Sequence, residues 1–293
     1  MKQYAGAPAL QLGIFDTARM RRVFWPAAAI SWTTVWWLNI TLRGQHGDLT
    51  WWTADASQPY VGGVAEAGAY LYSPAVIQLL APLRLLPFEA IVWIWAALML
   101  GSLAFCAGRW TPLVILLPPI MGELAMSNMH LLYAAAIVIG FRWPGAWSLL
   151  LLTKVTPGVG LLWFAVRREW RHLFIALGVT GAIVAASVAF APDLWWRWFA
   201  LLSDASQAPP VPFQVNAPFP IPLLFRIPLA AAVVIWGART DRKWTVPVAV
   251  VLALPVIWTA SLSILVAMIP FIVPPEKLAG FRPRRSTQDV AGA

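Results

Sequence analysis

Long uncharged runs constrain the fold of this chain more than any other feature of its sequence. The runs at 23–42 and 173–192 each hold 20 residues without a charged side chain, which is about the length that a helix needs to cross a bilayer. Charged residues make up 11% of the 293 residues and hydrophobic residues 60%, whereas soluble proteins have about a quarter charged residues. The sequence therefore predicts an integral membrane protein and excludes soluble enzymes, nucleic-acid-binding proteins and disordered chains.

The basic residues are grouped in a way that predicts the orientation of the chain. Lysine and arginine are enriched in the cytoplasmic loops of membrane proteins, so net positive segments are expected in the cytoplasm and net acidic connections outside. The net charge of +9 is thus mainly a signal of orientation. The predicted cytoplasmic segments are the tails at 1–22 and 276–293 and the loops at 167–171 and 239–243, and the predicted outer loops are 43–88 and 193–219.

Residues 23–275 are predicted to form a single all-α transmembrane domain with about eight to ten segments, some of them broken half-helices. Unbroken crossings counted from the first outer loop would leave the basic loop at 167–171 outside. A break near Pro157 removes this conflict, because proline interrupts a helix. Two half-length helices are therefore predicted, at 143–153 and 157–166.

The remaining runs predict a full span at 90–108 and several shorter elements. Residues 71–86 begin with a Tyr-x-Pro sequence and end before Pro87. They are predicted to form an amphipathic helix at the outer interface, with a short extra span as the alternative. Residues 244–275 are too long for one span and hold several prolines. They are predicted to make two short passes that separate near residues 258–260.

Four charged residues at membrane depth require an explanation, because each costs roughly 2.5–3.5 kcal/mol on insertion scales. They are Arg84, Glu123, Lys154 and Arg226. Two interpretations of Lys154 remain open, an ammonium that reaches back to the interface or a phosphate ligand on exposed backbone at a helix break. The same alternatives stand for Arg226. Glu123 is expected either to pair with a basic residue or to reach the surface.

The first outer loop carries two acids within eight residues, Asp48 and Asp55, on either side of Trp51 and Trp52. Such a loop is either solvated surface with aromatic residues of the membrane belt or the site of a carboxylate general base with rings that stack on a sugar. The tryptophans of the second outer loop are assigned to the belt. No metal site is predicted, since the histidines lie far apart: His46, His130 and His172.

Several short motifs follow this loop in a fixed order. Leu71-Tyr72-Ser73-Pro74 leads to Leu80-Ala81-Pro82-Leu83, then Ser127-Asn128-Met129-His130-Leu131-Leu132, then Thr153-Lys154-Val155-Thr156-Pro157, and finally Arg167-Arg168-Glu169-Trp170-Arg171. In these motifs the chain resembles glycosyltransferase family 87, over roughly residues 20–275 and most specifically over 128–171. Members of this family are membrane enzymes of the GT-C class that use polyprenyl-phosphate sugars, often polyprenyl-phosphate mannose.

The resemblance implies an outward-facing active site in a GT-C-type domain that needs no cofactor or metal. The catalytic acid of the family falls on Asp55, with Asp48 in reserve, and would accept the proton of an acceptor hydroxyl. The family's lysine before proline falls on Lys154, which would bind the donor phosphate together with Arg226. Sugar and acceptor contacts are expected from four further residues: Trp52, Tyr60, Tyr72 and Asn128.

The expected partners are a polyprenyl-phosphate sugar donor, a glycolipid or glycan acceptor and the bilayer, with no nucleic acid. Two other functions remain compatible with the sequence. A lipid-phosphate or sugar-lipid transporter would also have broken helices and buried charges, and an inactive GT-C-like subunit would fit a chain that is shorter than many members. The acidic outer loop favours the enzyme, because a transporter does not need a general base.

Overall fold

A computed structural model of the chain describes residues 70–207 and 221–273, together with residues 26, 29, 30, 33, 59, 60 and 219. Every regular element in these residues is an α- or 3₁₀-helix, and no strand occurs among them. The prediction of an all-α fold is therefore confirmed for this part of the chain. Two of its helices are long and apolar enough to cross a membrane, or three if one bent pair is counted as a single span.

The first continuous helix, α1 (Pro74–Leu80), begins at a proline and continues as a 3₁₀ helix, Ala81–Leu85. Proline suits the first turn of a helix because its missing N–H would have no intrahelical partner there. The main-chain N–H of Ser73 donates to the carbonyl of Leu152 at 3.3 Å, which ties the start of α1 to a later helix. The helical structure predicted over 71–86 is confirmed for residues 74–85, and its place at the outer interface stays a prediction.

Helix α2 (Phe88–Ala107) is one of the two helices of membrane-crossing length. Twenty residues at about 1.5 Å each span about 30 Å, which matches the hydrocarbon core of a bilayer. A 3₁₀ turn (Gly108–Trp110) and the short helix α3 (Thr111–Val114) extend the apolar stretch. The element predicted at 90–108 is thus a helix long enough to span.

Helices α4 (Pro118–Met126) and α5 (His130–Gly140) form a bent pair with an angle of 109° between them. The bend lies at Ser127, whose φ of 54° is in the left-handed region where many helices end. Ser127 is buried, and its carbonyl accepts a hydrogen bond from Trp95 Nε1 at 2.8 Å. The chain therefore turns sharply at this point and is held there by a neighbouring helix.

The next segment is broken in the middle, as predicted. Lys154 stands at the break with extended backbone angles, φ −142° and ψ 113°. Each half is a 3₁₀ turn followed by an α-helix: Pro144–Trp147 with α6 (Ser148–Thr153), and Thr156–Leu161 with α7 (Leu162–Val166). The half-length helices predicted at 143–153 and 157–166 are confirmed.

Helix α8 (Trp170–Phe190) is the other helix of membrane-crossing length, and only 11% of its most apolar window is buried inside the protein. Helix α9 (Pro192–Gln207) follows it within the connection predicted at 193–219. Its buried apolar residues recur at helical spacing: Leu194, Trp195, Trp198 and Leu201. This helix was not predicted, because tryptophans at membrane ends also fit an aromatic belt.

The C-terminal part of the described chain folds into two short helical segments, at the positions of the two short passes predicted for 244–275. Helix α10 (Leu223–Arg239) leads to α11 (Thr245–Leu252), which is the first pass. The second is a 3₁₀ helix (Thr259–Met268) that ends in α12 (Ile269–Ile272). The chain between the two passes is irregular from 253 to 258, slightly before the predicted point of separation.

Two loops that are predicted to be cytoplasmic lie side by side. Arg167 Nη1 donates to Asp241 Oδ1 at 2.9 Å and to the carbonyl of Ala238 at 3.2 Å. Exposed ion pairs contribute about 0–1 kcal/mol, so this contact has little effect on stability. It does place the basic segments 167–171 and 239–243 at the same end of the helices.

Trp147 fixes how the broken segment packs against α5. Its indole is fully buried, and it lies against Gly140 of α5 and Gly160 of the 3₁₀ turn after the break. A Cβ built at either glycine would overlap the indole ring. Both glycines are therefore required by close packing, because a rigid buried ring cannot move aside without disturbing its neighbours.

Replacement of Gly160 by alanine is expected to destabilise the protein by about 1–3 kcal/mol, the usual effect of overpacking a core. The measurement is thermal unfolding of the purified protein in detergent. Gly178→Ala in α8 is the matched control, since a Cβ there meets no atom within 4 Å. Equal melting temperatures for the two variants would contradict the described packing of Trp147.

Candidate active site

Lys154 is the centre of the candidate site because it stands where the helix is broken. Its side chain is half-buried, and its ammonium lies 6.0 Å from the centre of the Tyr72 ring. At this distance the face of an aromatic ring attracts a cation. The ammonium also lies 3.5 Å from Nε2 of His130. Two neutral groups on separate elements thus contact the lysine head group.

His130 is held from its other side by Glu123. One carboxylate oxygen of Glu123 accepts the main-chain N–H of His130 at 2.6 Å, and the other lies 2.8 Å from Nδ1 of the ring. Both side chains are buried, with Glu123 fully so. Because Glu123 belongs to α4 and His130 begins α5, these two bonds close the bend at Ser127. They also place a negative charge at the start of α5, where a helix favours it.

The carboxylate determines how the His130 ring is protonated. An ionised carboxylate only accepts hydrogen bonds, so we assign the ring proton to Nδ1. In the neutral ring Nε2 then carries a lone pair. This nitrogen faces the ammonium of Lys154 and the hydroxyl of Ser261, which lies 3.3 Å away. Ser261 is completely buried and comes from the second C-terminal pass.

The resulting chain of groups is electrically balanced. The negative charge of Glu123 and the positive charge of Lys154 lie on opposite sides of one imidazole. Charges at membrane depth are tolerated when they pair with one another. The expectation that Glu123 either pairs with a basic residue or reaches the surface resolves in favour of pairing, with His130 as the direct partner.

A cluster of tyrosines borders the lysine. The hydroxyl of Tyr60 donates to the carbonyl of Tyr72 at 2.7 Å, and that of Tyr70 donates to the carbonyl of Ser73 at 3.1 Å. The centre of the Tyr70 ring lies 5.7 Å from the centre of the Tyr60 ring and 5.9 Å from the centre of the Tyr72 ring. Burial raises the pKa of Tyr60 and of Tyr70 well above the usual range, so both phenols stay neutral hydrogen-bond donors.

Helix α9 supports this cluster from the side. Nε1 of Trp198 donates to the carbonyl of Leu71 at 3.1 Å, directly before Tyr72, while Nε1 of Trp195 donates to Oγ of Ser187 at 3.0 Å. A buried indole N–H usually needs such a partner. The two tryptophans therefore connect α9 to the segment before α1, which carries Tyr72, and to the end of α8.

Arg226 is buried in a different set of contacts. Its guanidinium donates to four carbonyls, those of Ile221, Leu252, Leu254 and Pro255, over 2.7–2.9 Å. Three of these carbonyls lie at the end of α11 and in the irregular chain after it, where helical partners are missing. Since arginine has five N–H donors, these bonds engage most of its capacity.

The structure brings some of the predicted site residues together. Tyr60, Tyr72 and Lys154 form one contact group, and half-buried Asn128 lies in the bend, two residues before His130. Arg226 binds the backbone as described above. The other predicted residues, Asp48, Trp52 and Asp55, lie outside the described residues.

The roles of His130 and Ser261 were not predicted. A signal for His130 was present, because an acid and a histidine seven residues apart stand on either side of a helix break. The signal for Ser261 was absent, since 131 positions separate it from His130 in the sequence.

Comparison with known proteins identifies the family of the chain. A model of glycosyltransferase family 87 matches residues 70–271, which is more than half of the 293 residues. No curated protein and no solved structure matches the chain. The matched region includes the tyrosine segment, the bent pair and the broken segment with Lys154. The chain belongs to glycosyltransferase family 87 and is a membrane glycosyltransferase.

Proposed function

We propose that the protein transfers a sugar, mannose, from a polyprenyl-phosphate donor to a hydroxyl group of a lipid or glycan acceptor at the outer face of the membrane, with inversion at the anomeric carbon. The observation that carries this proposal is the ammonium of Lys154 at a helix break, beside the Tyr72 ring. Broken membrane helices place exposed backbone and charge where an anionic group can be bound at depth.

A lipid-linked donor suits the surroundings of this lysine. The isoprenoid chain of such a donor lies among lipid tails, while its single phosphate must meet a cation near the boundary. Only 11% of the most apolar window of helix α8 is buried inside the protein, and α1 and α9 carry exposed apolar side chains such as Leu79 and Trp196. A donor can therefore approach along apolar surface until its phosphate reaches Lys154.

The proposed reaction is a single displacement. The acceptor oxygen attacks the anomeric carbon and forms the new glycosidic bond, while the bond from that carbon to the phosphate oxygen breaks. Asp55, or Asp48 in reserve, takes the proton of the acceptor hydroxyl, and polyprenyl phosphate leaves with an additional negative charge. Lys154 binds the phosphate of the donor and also stabilises the additional charge as it grows.

The remaining predicted residues have roles in binding. Trp52, Tyr60 and Tyr72 are proposed to contact the sugar, since aromatic rings and phenols suit the apolar faces and hydroxyls of a hexose. Asn128 is proposed as a further hydrogen-bonding partner from the bend. Arg226 is proposed to assist phosphate binding through its remaining N–H, and its four carbonyl bonds keep it in a fixed position.

The proposed orientation has both termini in the cytoplasm and the active site outside. It is supported by the contact between Arg167 and Asp241, because the two basic loops then share one side of the membrane, as the distribution of lysine and arginine requires.

Replacement of the general base tests the chemical step. Asp55→Asn is expected to reduce sugar transfer by about 10²–10⁴-fold, the usual contribution of general base catalysis, while Asp48→Asn retains most of it. The measurement is transfer from radiolabelled polyprenyl-phosphate mannose in membranes that contain the protein. Transfer that survives both substitutions would refute the proposal that Asp55 or Asp48 is the general base. Movement of intact donor across the membrane without transfer would indicate a transporter.

Removal of the lysine tests donor binding. Lys154→Ala is expected to raise the KM for the donor and to lower kcat. The fall in kcat/KM should correspond to a loss of about 1.5–3 kcal/mol of transition-state stabilisation, the usual value for a hydrogen bond to a charged group. Lys243→Ala in the predicted cytoplasmic loop is the matched control and should behave like the unmodified protein. If Lys154→Ala inserts into membranes and keeps its kcat/KM, the ammonium has no role in donor binding.

A further inference from the structure

We propose that Glu123 and His130 act as a positioning pair for Lys154, with His130 Nε2 as the neutral acceptor that holds the ammonium in place for the donor phosphate. This inference rests on the proposed function, because it assigns Lys154 to donor binding. It adds two residues that touch neither donor nor acceptor and that would act through the lysine.

The pair is rigid in the way that positioning requires. Glu123 binds the main-chain N–H and the ring of the same residue, at 2.6 and 2.8 Å. One bond fixes the start of α5, and the other fixes the rotation of the imidazole about its side-chain bonds. The Tyr133 ring also restricts the imidazole, because the two rings pack edge to face with their centres 5.7 Å apart. Nε2 is therefore held in one direction.

The imidazole keeps the carboxylate at a useful distance from the lysine. Direct contact between Glu123 and Lys154 would form an ion pair, and a phosphate would have to break it. With the ring between them, the carboxylate of Glu123 binds the imidazole, and the imidazole is the member of the pair that contacts the ammonium. A phosphate that binds Lys154 therefore does not have to break an ion pair between Glu123 and the lysine.

Ser261 can replace Lys154 as the hydrogen-bond partner of His130 Nε2. Its hydroxyl lies 3.3 Å from the same Nε2, and its oxygen accepts the main-chain N–H of Trp258 at 3.2 Å. When Lys154 turns towards a phosphate, the Ser261 hydroxyl can donate to Nε2 in its place. The buried nitrogen thus keeps a partner in both positions of the lysine, and no unpaired acceptor is left in the core.

The position of the ring proton gives the first test. In Glu123→Gln the side-chain oxygen can still accept the His130 main-chain N–H, but the amide N–H₂ then faces Nδ1 and forces the ring proton onto Nε2. An N–H then points at the ammonium instead of a lone pair. We expect at least a tenfold rise in the KM for radiolabelled polyprenyl-phosphate mannose and weaker binding of geranyl phosphate to the purified protein, with a smaller change in kcat.

Substitution of His130 gives a matched comparison. His130→Gln retains an oxygen that can accept the ammonium, whereas His130→Leu retains only bulk, so the glutamine variant should keep a lower donor KM than the leucine variant. In a Lys154→Met background neither Glu123→Gln nor His130→Leu should raise the KM or weaken geranyl phosphate binding further, because both act through the lysine.

The outcomes separate this inference from the proposed function. If Lys154→Met leaves donor KM and geranyl phosphate binding unchanged, the proposed donor role fails. If it weakens both while Glu123→Gln and His130→Leu do not, or if their effects add to that of Lys154→Met, only the positioning pair is refuted. Loss of folding in both the glutamine and leucine variants of His130, seen by thermal unfolding in detergent, would show that the pair is only a structural link and would also overturn it.

Discussion

The hydrogen bonds from His130 to the Glu123 carboxylate are the interaction on which the rest of the site depends. They join the end of α4 to the start of α5 across an angle of 109°. A buried carboxylate is costly unless it is paired and hydrogen-bonded, and here one residue supplies both donors. The same bonds that close the bend also orient the imidazole. In the proposed role of His130, the contact that helps to close the bend therefore also aligns Lys154.

Broken helices create a second requirement, because each break frees backbone groups that have no water to bind inside a membrane. The protein meets it with buried side chains. Arg226 donates to the carbonyls of Leu252, Leu254 and Pro255 where α11 ends. Trp95 binds the carbonyl of Ser127 at the other bend. Groups from neighbouring helices thus stabilise the irregular backbone around the site. They take the role that water has in a solvated loop.

The sequence was sufficient for features that depend on charge and proline, and insufficient for those that depend on distant contacts. Lys154 and Pro157 located the broken segment, because both exclude a straight lipid-facing helix. The role of His130 required the left-handed turn at Ser127, and its contact with Ser261 joins residues 131 positions apart. Helix α9 had a helical pattern of apolar residues, but a belt of tryptophans fits the same residues. Local chemistry was readable, whereas the partners of each polar group were set by the fold.

The shortness of many helices follows from what the site must hold. In the described residues two helices have membrane-crossing length, while the bent pair, the broken segment and the C-terminal passes consist of shorter pieces. A continuous helix satisfies its own backbone and directs side chains outward, so it can offer few polar groups at depth. The bent pair and the broken segment are each interrupted between their two helices, and Glu123, His130 and Lys154 lie at or near these interruptions. The breaks between the short helices are therefore the means by which a largely apolar chain brings charged groups together.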